Sequence, residues 1–435
     1  MYETNVKPDR TIIISVITKG TNRELNEDNL KELKLLCKTA GCDVVLKLTQ
    51  ELPKINNATC VGTGKLEEIK EIIKEEDIQL IVFDSELSPM QNRNLMRELN
   101  IKVMDRSGII LEIFATHARS QEARLQVELA YLQYMLPRLT RQWTHLSKQY
   151  GGVGTNAKGP GETQIESDRR LVRERIQFLK GKLKEIEVQK NTQRKGRENL
   201  PRFALVGYTN AGKSTLMKSI MELNSDDERV ENIYVADKLF ATLDTTVRSF
   251  GLPSGEKALL SDTVGFIRKL PHHLVASFRS TLAEAKEADF IVIVTDISHP
   301  NFENHIKVVN DTLTELGVKD KIFIHIFNKI DLLEEKDIIN RLKNEYANPI
   351  FISAKYGSYM DDVLNKFAVL NDALTKKIDL FVPYKKMNML NKIYNNAEIV
   401  SRTDTDTGVA LRLKIKKDYS TMFHNLYKEF VASKE

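Results

Sequence analysis

One eight-residue string limits this chain more than any other: Gly207-Tyr208-Thr209-Asn210-Ala211-Gly212-Lys213-Ser214, set between the apolar run RFALV and the helix-like TLMKSI. Strand, glycine-bearing loop and helix in that order make a phosphate cradle. The glycines let successive N–H groups turn inward around phosphate oxygens, and the following helix N-terminus adds positive potential. Lys213 is suited to neutralising β- and γ-phosphate oxygens, and the Ser214 hydroxyl to ligating Mg²⁺, with Thr215 beside it. This setting predicts an α/β domain with its site at the strand ends.

Three further strand ends complete the reading. Asp262-Thr263-Val264-Gly265 closes the run KALLS, forty-eight residues beyond Ser214. An aspartate there holds Mg²⁺ through water, and the Gly265 N–H can meet a γ-phosphate. IFIHIF runs into Asn328-Lys329-Ile330-Asp331. The Asp331 carboxylate can accept from guanine N1–H and N2–H₂, a pair that adenine lacks, so it selects the base. Asn328 braces the loop and the base, and the Lys329 stem packs on the base's face. PIFIS then leads into Ser353-Ala354-Lys355, which offers a backbone N–H to the guanine carbonyl. Between the first two motifs lies LFATLDTT. A threonine there completes the Mg²⁺ sphere with GTP and releases after hydrolysis, the behaviour of a switch. Chemistry alone leaves Thr242, Thr245 and Thr246 open. A second candidate loop, GTGK at 62–65, fails, because Thr59 stands where glycine is needed and Leu66 follows the lysine. It reads as a helix start.

At 435 residues the chain exceeds one hydrophobic core, so several domains are expected. Residues 1–118 alternate apolar strands (TIIISVIT, VVLKLT, IQLIVF, IKVMD) with amphipathic helices, which predicts a parallel-sheet α/β domain. Residues 119–198 differ. Leu125, Leu129, Leu132, Leu136, Leu139, Trp143 and Leu146 follow a 3.5-residue repeat, as do Val172, Ile176, Leu179, Leu183 and Ile186. A Gly-rich break at 151–163 makes these an antiparallel helical hairpin with a glycine tip, and Pro137 puts a kink in its first arm. From Arg138 to Arg197 there are fifteen Lys/Arg against six Asp/Glu, although the whole chain carries only +5. That concentration suits a polyanion such as RNA. The contact candidates are Arg138, Arg141, Lys148, Lys158, Arg169, Arg170 and Arg173. A nucleotide-binding domain over 201–373 follows, then a small α/β domain over 379–435, where Val409, Leu411, Leu413 and Ile415 alternate with polar residues ahead of an amphipathic helix at 422–431. Three cysteines without metal-ligand spacing, no leader-like N-terminus and no long apolar run lead to the expectation of a cytoplasmic protein.

The chain resembles the HflX family of translational GTPases over nearly its whole length. Besides the nucleotide motifs, the resemblance rests on FDSELSPMQNRNL, VMDRSGIILEIFATHA, QVELAYLQYMLPRLTRQWTHLS, GPGETQIESDRR and FATLDTT. It implies that Phe240, Ala241, Thr242, Leu243 and Asp244 form the switch, with Thr242 the Mg²⁺ ligand beside Ser214. It implies binding to the large ribosomal subunit and its rRNA, and dissociation or rescue of stalled or idle ribosomes under stress, with the basic arm reaching toward the peptidyl-transferase region. Many GTPases place a water-orienting glutamine after D-x-x-G. Here that residue is Phe266, an apolar residue that the family shares, so no general base is assigned. Lys213, Thr242 and Gly265 carry the catalytic expectation, and hydrolysis is expected to be slow until ribosomal particles assist. His272 and His273 read as surface residues. The expected fold is multidomain α/β and the expected state monomeric. The alternative is a GTP-regulated adaptor that uses the hairpin as a protein-binding coiled coil.

Overall fold

The structure is a computed structural model describing residues 8–20, 22–139, 164–194, 200–224, 239–240, 245–269, 284–318, 321–334, 337–390, 393 and 397–416. The chain forms two compact units. The first comprises Met1–Ile186 with Ala236–Asp244 and Ile267–Thr281; the second comprises Glu187–Val235, Thr245–Phe266 and Leu282–Glu435.

In the first unit, β1 (Arg10–Thr18), α1 (Arg23–Thr39), β2 (Asp43–Leu52), α2 (Thr63–Glu75), β3 (Leu80–Phe83), α3 (Pro89–Leu99) and β4 (Lys102–Asp105) alternate as expected. The sheet has the order β2-β1-β3-β4 with every pairing parallel. Ile12, Ile13 and Ile14 are all fully buried, which explains why β1 is a continuous apolar run. The helix starts are capped by side chains. Asn22 accepts from Glu24 and Leu25, Ser88 and Gln91 form a reciprocal capping box, and Asp105 accepts from Gly108. GTGK at 62–65 is indeed the start of α2, where Gly62 donates its N–H to Gln50 Oε1 at 3.0 Å.

The hairpin's helices are α5 (Gln121–Met135), which follows α4 (Arg106–His117), and α6 (Gln164–Arg194). Leu129 and Leu132 pack with Ile176 and Leu179, flanked by Leu125, Leu136, Val172 and Leu183, so the two repeats form one seam. Pro137 ends the α-helical part: the chain tightens into a 3₁₀ turn at Leu136–Arg138. Trp143, Leu146, Arg141, Lys148, Lys158 and the tip at 151–163 lie outside the described residues. At 31 residues, α6 extends roughly 46 Å.

The second unit holds β5 (Arg202–Gly207), α7 (Lys213–Asn224), β6 (Thr246–Gly251), β7 (Lys257–Asp262), β8 (Phe290–Asp296), α8 (Phe302–Glu315), β9 (Ile322–Asn328), α9 (Asp337–Glu345), β10 (Ile350–Phe351) and α10 (Met360–Leu374). Its six-stranded sheet runs β10-β9-β8-β5-β7-β6, parallel except for β6. Phe203 anchors the core, stacked on Phe290 at 4.5 Å and Phe367 at 4.2 Å. The chain passes from α10 directly into β11 (Thr375–Pro383), which joins β12 (Glu398–Thr405) and β13 (Gly408–Lys416) in an antiparallel sheet of order β11-β13-β12. The sequence reads Lys414 as an outward polar position of this strand. It is instead buried, ion-paired with Glu256 and with Asp372 at 2.5 Å. Residues 422–431 lie outside the described residues, and none of the described helices is long and apolar enough to cross a membrane.

Candidate nucleotide site

The phosphate-loop residues sit at the carboxyl end of β5, central in the sheet, with α7 starting at Lys213. Two glycines are required sterically. A Cβ on Gly207 would lie 2.3 Å from the Val294 carbonyl oxygen of β8. Gly212 adopts φ +91°, and a Cβ there would lie 2.2 Å from Asn328 Nδ2. Asn210 is left-handed at φ 61°. The buried Lys213 ammonium donates to the Gly207 and Tyr208 carbonyls at 3.1 and 3.0 Å, which fixes it across the loop. Burial lowers its pKa to about 8, and nearby Asp262 partly opposes this. A cation held at that desolvation cost is stabilised by an anion arriving in the loop.

Asp262 ends β7 beside β5 and accepts from Ser214 Oγ at 2.6 Å, so the two oxygen donors expected at Mg²⁺ are adjacent. Thr263 is spent inside the fold, donating to the Leu205 carbonyl at 2.7 Å. Gly265 lies against the loop: a Cβ there would be 2.8 Å from Thr209 Cα and 3.1 Å from Lys213 Nζ. Phe266 is 2% exposed and doubly bonded to the loop. Thr209 N–H donates to its carbonyl at 2.8 Å, and its own N–H donates to the Gly207 carbonyl at 3.0 Å.

Asn328, at the end of β9, braces two loops at once. Its Nδ2 donates to the Ala211 carbonyl at 2.9 Å, and its Oδ1 accepts from the Ala354 N–H at 2.9 Å. Of the backbone N–H groups that Ser353-Ala354-Lys355 offers, that of Ala354 is therefore part of the brace. Ser353 Oγ donates to Asp331 Oδ1 at 2.5 Å and so orients the carboxylate. Lys329 is left-handed at φ 66°, with its ammonium 2.7 Å from Asp296. Sequence reasoning missed three supports. Asp296 steers the Lys329 side chain, Ser219 Oγ donates to the Ala354 carbonyl at 2.6 Å, and His305 stacks on the Tyr208 ring at 3.8 Å. The only available signal was Asp296 closing the apolar strand β8, the position that Asp262 and Asn328 hold on theirs.

Phe240 is left-handed at φ 55°, and Ala241, Thr242, Leu243 and Asp244 lie outside the described residues, as do His272 and His273. Among the basic-arm candidates, Arg138 is corrected. It is 8% exposed, bonded to the Tyr134 and Leu87 carbonyls and to Asp105 at 3.1 Å, so it secures the fold and does not face a partner. Arg169 is half-buried and donates to the Leu139 carbonyl at 3.4 Å; Arg170 and Arg173 are exposed.

A phosphate loop, an Asp-x-x-Gly turn and an Asn-Lys-x-Asp turn at the carboxyl ends of β5, β7 and β9 in one parallel sheet define a P-loop GTPase. Family profiles agree: residues 27–115 match the GTP-binding GTPase N-terminal region, 117–197 the GTP-binding GTPase middle region and 202–329 the 50S ribosome-binding GTPase family. The chain is 42% identical to the GTPase HflX of Magnetococcus marinus over 402 residues, covering 92% of this chain and 91% of that protein. It is 40% identical to that of Caldanaerobacter subterraneus, covering 96% and 93%, and 37% identical to that of Escherichia coli K12, covering 89% and 90%. The chain belongs to the HflX family of GTPases.

Proposed function

We propose that this GTPase is a Mg²⁺-dependent switch whose GTP form docks on the large ribosomal subunit, promotes dissociation of stalled or idle ribosomes, and leaves after hydrolysis. The observation that carries the switch is the contact between Ser214 Oγ and Asp262, two hard oxygen donors next to the Lys213 ammonium. Ser214 directly, Asp262 through water and Thr242 would hold the ion, which when bound offsets charge on the β- and γ-phosphates. Lys213 binds the same oxygens, Asp331 reads guanine, and Asn328 keeps both loops in register. The residue after Gly265 is a buried phenylalanine, which neither donates nor accepts through its side chain, so the group that orients the attacking water is supplied from outside this turn. Docking rests on the family's description as 50S ribosome-binding and on the exposed basic face of α6 with Arg170 and Arg173.

Sedimentation of the protein with large subunits tests this in three nucleotide states. The expected result is salt-sensitive co-sedimentation with a GTP analogue and release with GDP. Binding indifferent to nucleotide would refute the switch.

A further inference from the structure

We propose that Lys414 and Glu256 are positioning residues for the Mg²⁺ site, acting on Asp262 along the β6–β7 hairpin. The inference rests on the reading of Ser214 and Asp262 as the oxygen donors for Mg²⁺, and every residue in it belongs to the second unit.

The hairpin forms one edge of the six-stranded sheet. β6 pairs antiparallel with β7 from Thr246↔Asp262 to Gly251↔Lys257, and β7 meets β5 over four residue pairs, Arg202↔Leu259 to Leu205↔Asp262. One end of the hairpin carries Asp262, which accepts from Ser214 Oγ, with Thr246 opposite it. The other end is the turn at 252–256. It is closed by the bond from the Leu252 N–H to the Glu256 carbonyl at 2.7 Å, with Gly255 left-handed at φ 85°. Six residues of extended chain separate Glu256 from Asp262, roughly 20 Å. A strand resists stretching, so the point at which the turn is fixed sets where Asp262 stands along the sheet.

The turn is fixed by a buried charge cluster. Glu256 accepts from Lys414 Nζ of β13 and from Asn371 Nδ2 of α10, and Lys414 also pairs with Asp372 at 2.5 Å. Lys414 is 5% exposed, whereas Arg412, two residues earlier on the same strand face, makes an exposed pair with Asp379. The exposed pair contributes little, but removing one member of the buried cluster strands a charge. Lys414 stands on a continuous frame: α10 runs directly into β11, which pairs with β13 from Thr375↔Lys416 to Pro383↔Gly408. Phe250 of β6 also meets Phe367 of α10 edge-on at 6.2 Å. That apolar contact holds the hairpin down without defining its position along the strand axis, because hydrophobic burial is non-directional. The charge-assisted hydrogen bonds at Glu256 are directional and do define it. The C-terminal sheet in this way sets the register of Asp262 beside Ser214.

The test times the release of fluorescent GDP from the full-length chain, with Mg²⁺ and with EDTA. Mg²⁺ is expected to slow release from the parent. Lys414→Met and Glu256→Gln are each expected to cut that slowing on the order of fivefold, while release in EDTA stays unchanged. The double variant Glu256→Gln with Lys414→Met leaves no buried charge unpaired, since the Asp372 side chain is 60% exposed. It should regain the thermal stability lost in Lys414→Met and still show the weakened Mg²⁺ effect. A parent-like Mg²⁺ effect in both single variants, release accelerated equally with and without Mg²⁺, or a double variant that regains the Mg²⁺ effect together with its stability would overturn the proposal. If Mg²⁺ failed to slow release from the parent itself, the reading of Ser214 and Asp262 would fall instead.

Discussion

Asp331 accepts from Ser353 Oγ at 2.5 Å, so the carboxylate proposed to read the base is oriented by the neighbouring loop. Asp331→Asn exchanges an acceptor for a donor facing guanine N1–H and N2–H₂. It is expected to weaken GTP binding by about a hundredfold or more and to admit xanthosine triphosphate, whose 2-oxo group accepts from the new amide. Competition between the two nucleotides for the variant measures this, and unchanged guanine preference would contradict it. Asp331 could be singled out in the sequence because N-K-x-D closes an apolar strand as one of four motifs in order, each at a strand end. Its orienting partner lies 22 residues away and belongs to a different loop. A second residue-scale effect is acid sensitivity. His325 on β9 is half-buried beside Tyr346 at 4.6 Å, and its burial lowers its pKa. The unfolded chain protonates this histidine near its ordinary pKa of about 6.5, and the folded chain only at lower pH. Stability is therefore full above about pH 6.5 and declines as pH falls through that window. Melting curves at about pH 7.5 and 5.5 should show a smaller drop in Tm for His325→Asn than for the parent; an equal drop would contradict it.

At the scale of elements, periodicity served well where burial is local to a helix pair. Val172, Ile176, Leu179 and Leu183 recur every three or four residues, and that repeat is the seam observed on α5 and α6. Charge served less well. Arg138 and Arg170 look alike in sequence, yet Arg138 is committed to Leu87 and Asp105, 51 and 33 residues away, whereas Arg170 faces solvent. Lys414 misleads for the same reason, since its acids Glu256 and Asp372 come from other elements. Only the exposed arginines of α6 therefore remain candidates for RNA among the described residues. Arg170→Glu with Arg173→Glu is expected to weaken binding to large subunits by tenfold or more and to flatten its salt dependence by about two phosphate contacts. Thermal unfolding should be little changed, because both side chains are exposed. Binding that survives the reversal would favour a protein-binding coiled coil.

The whole molecule places a GTP site and a long basic helix in one chain. The alternation of strands and helices, the four nucleotide motifs and the paired heptad-like seams were legible, because each depends on local pattern, whereas the order of the strands in each sheet was not. The assignment of 236–244 and 267–281 to the first unit was not, because it depends on Asp28, Asp84 and Phe114, far away in sequence. The absence of a side-chain donor or acceptor at the buried Phe266 carries the central claim of the proposed function, that hydrolysis stays slow until a partner completes the site. GTP turnover by the full-length chain, with and without purified large ribosomal subunits, tests this most directly. The account predicts slow turnover alone and acceleration by at least about a power of ten when subunits are added, on the scale of partner-supplied catalysis in other GTPases. Equal turnover in the two conditions would contradict it.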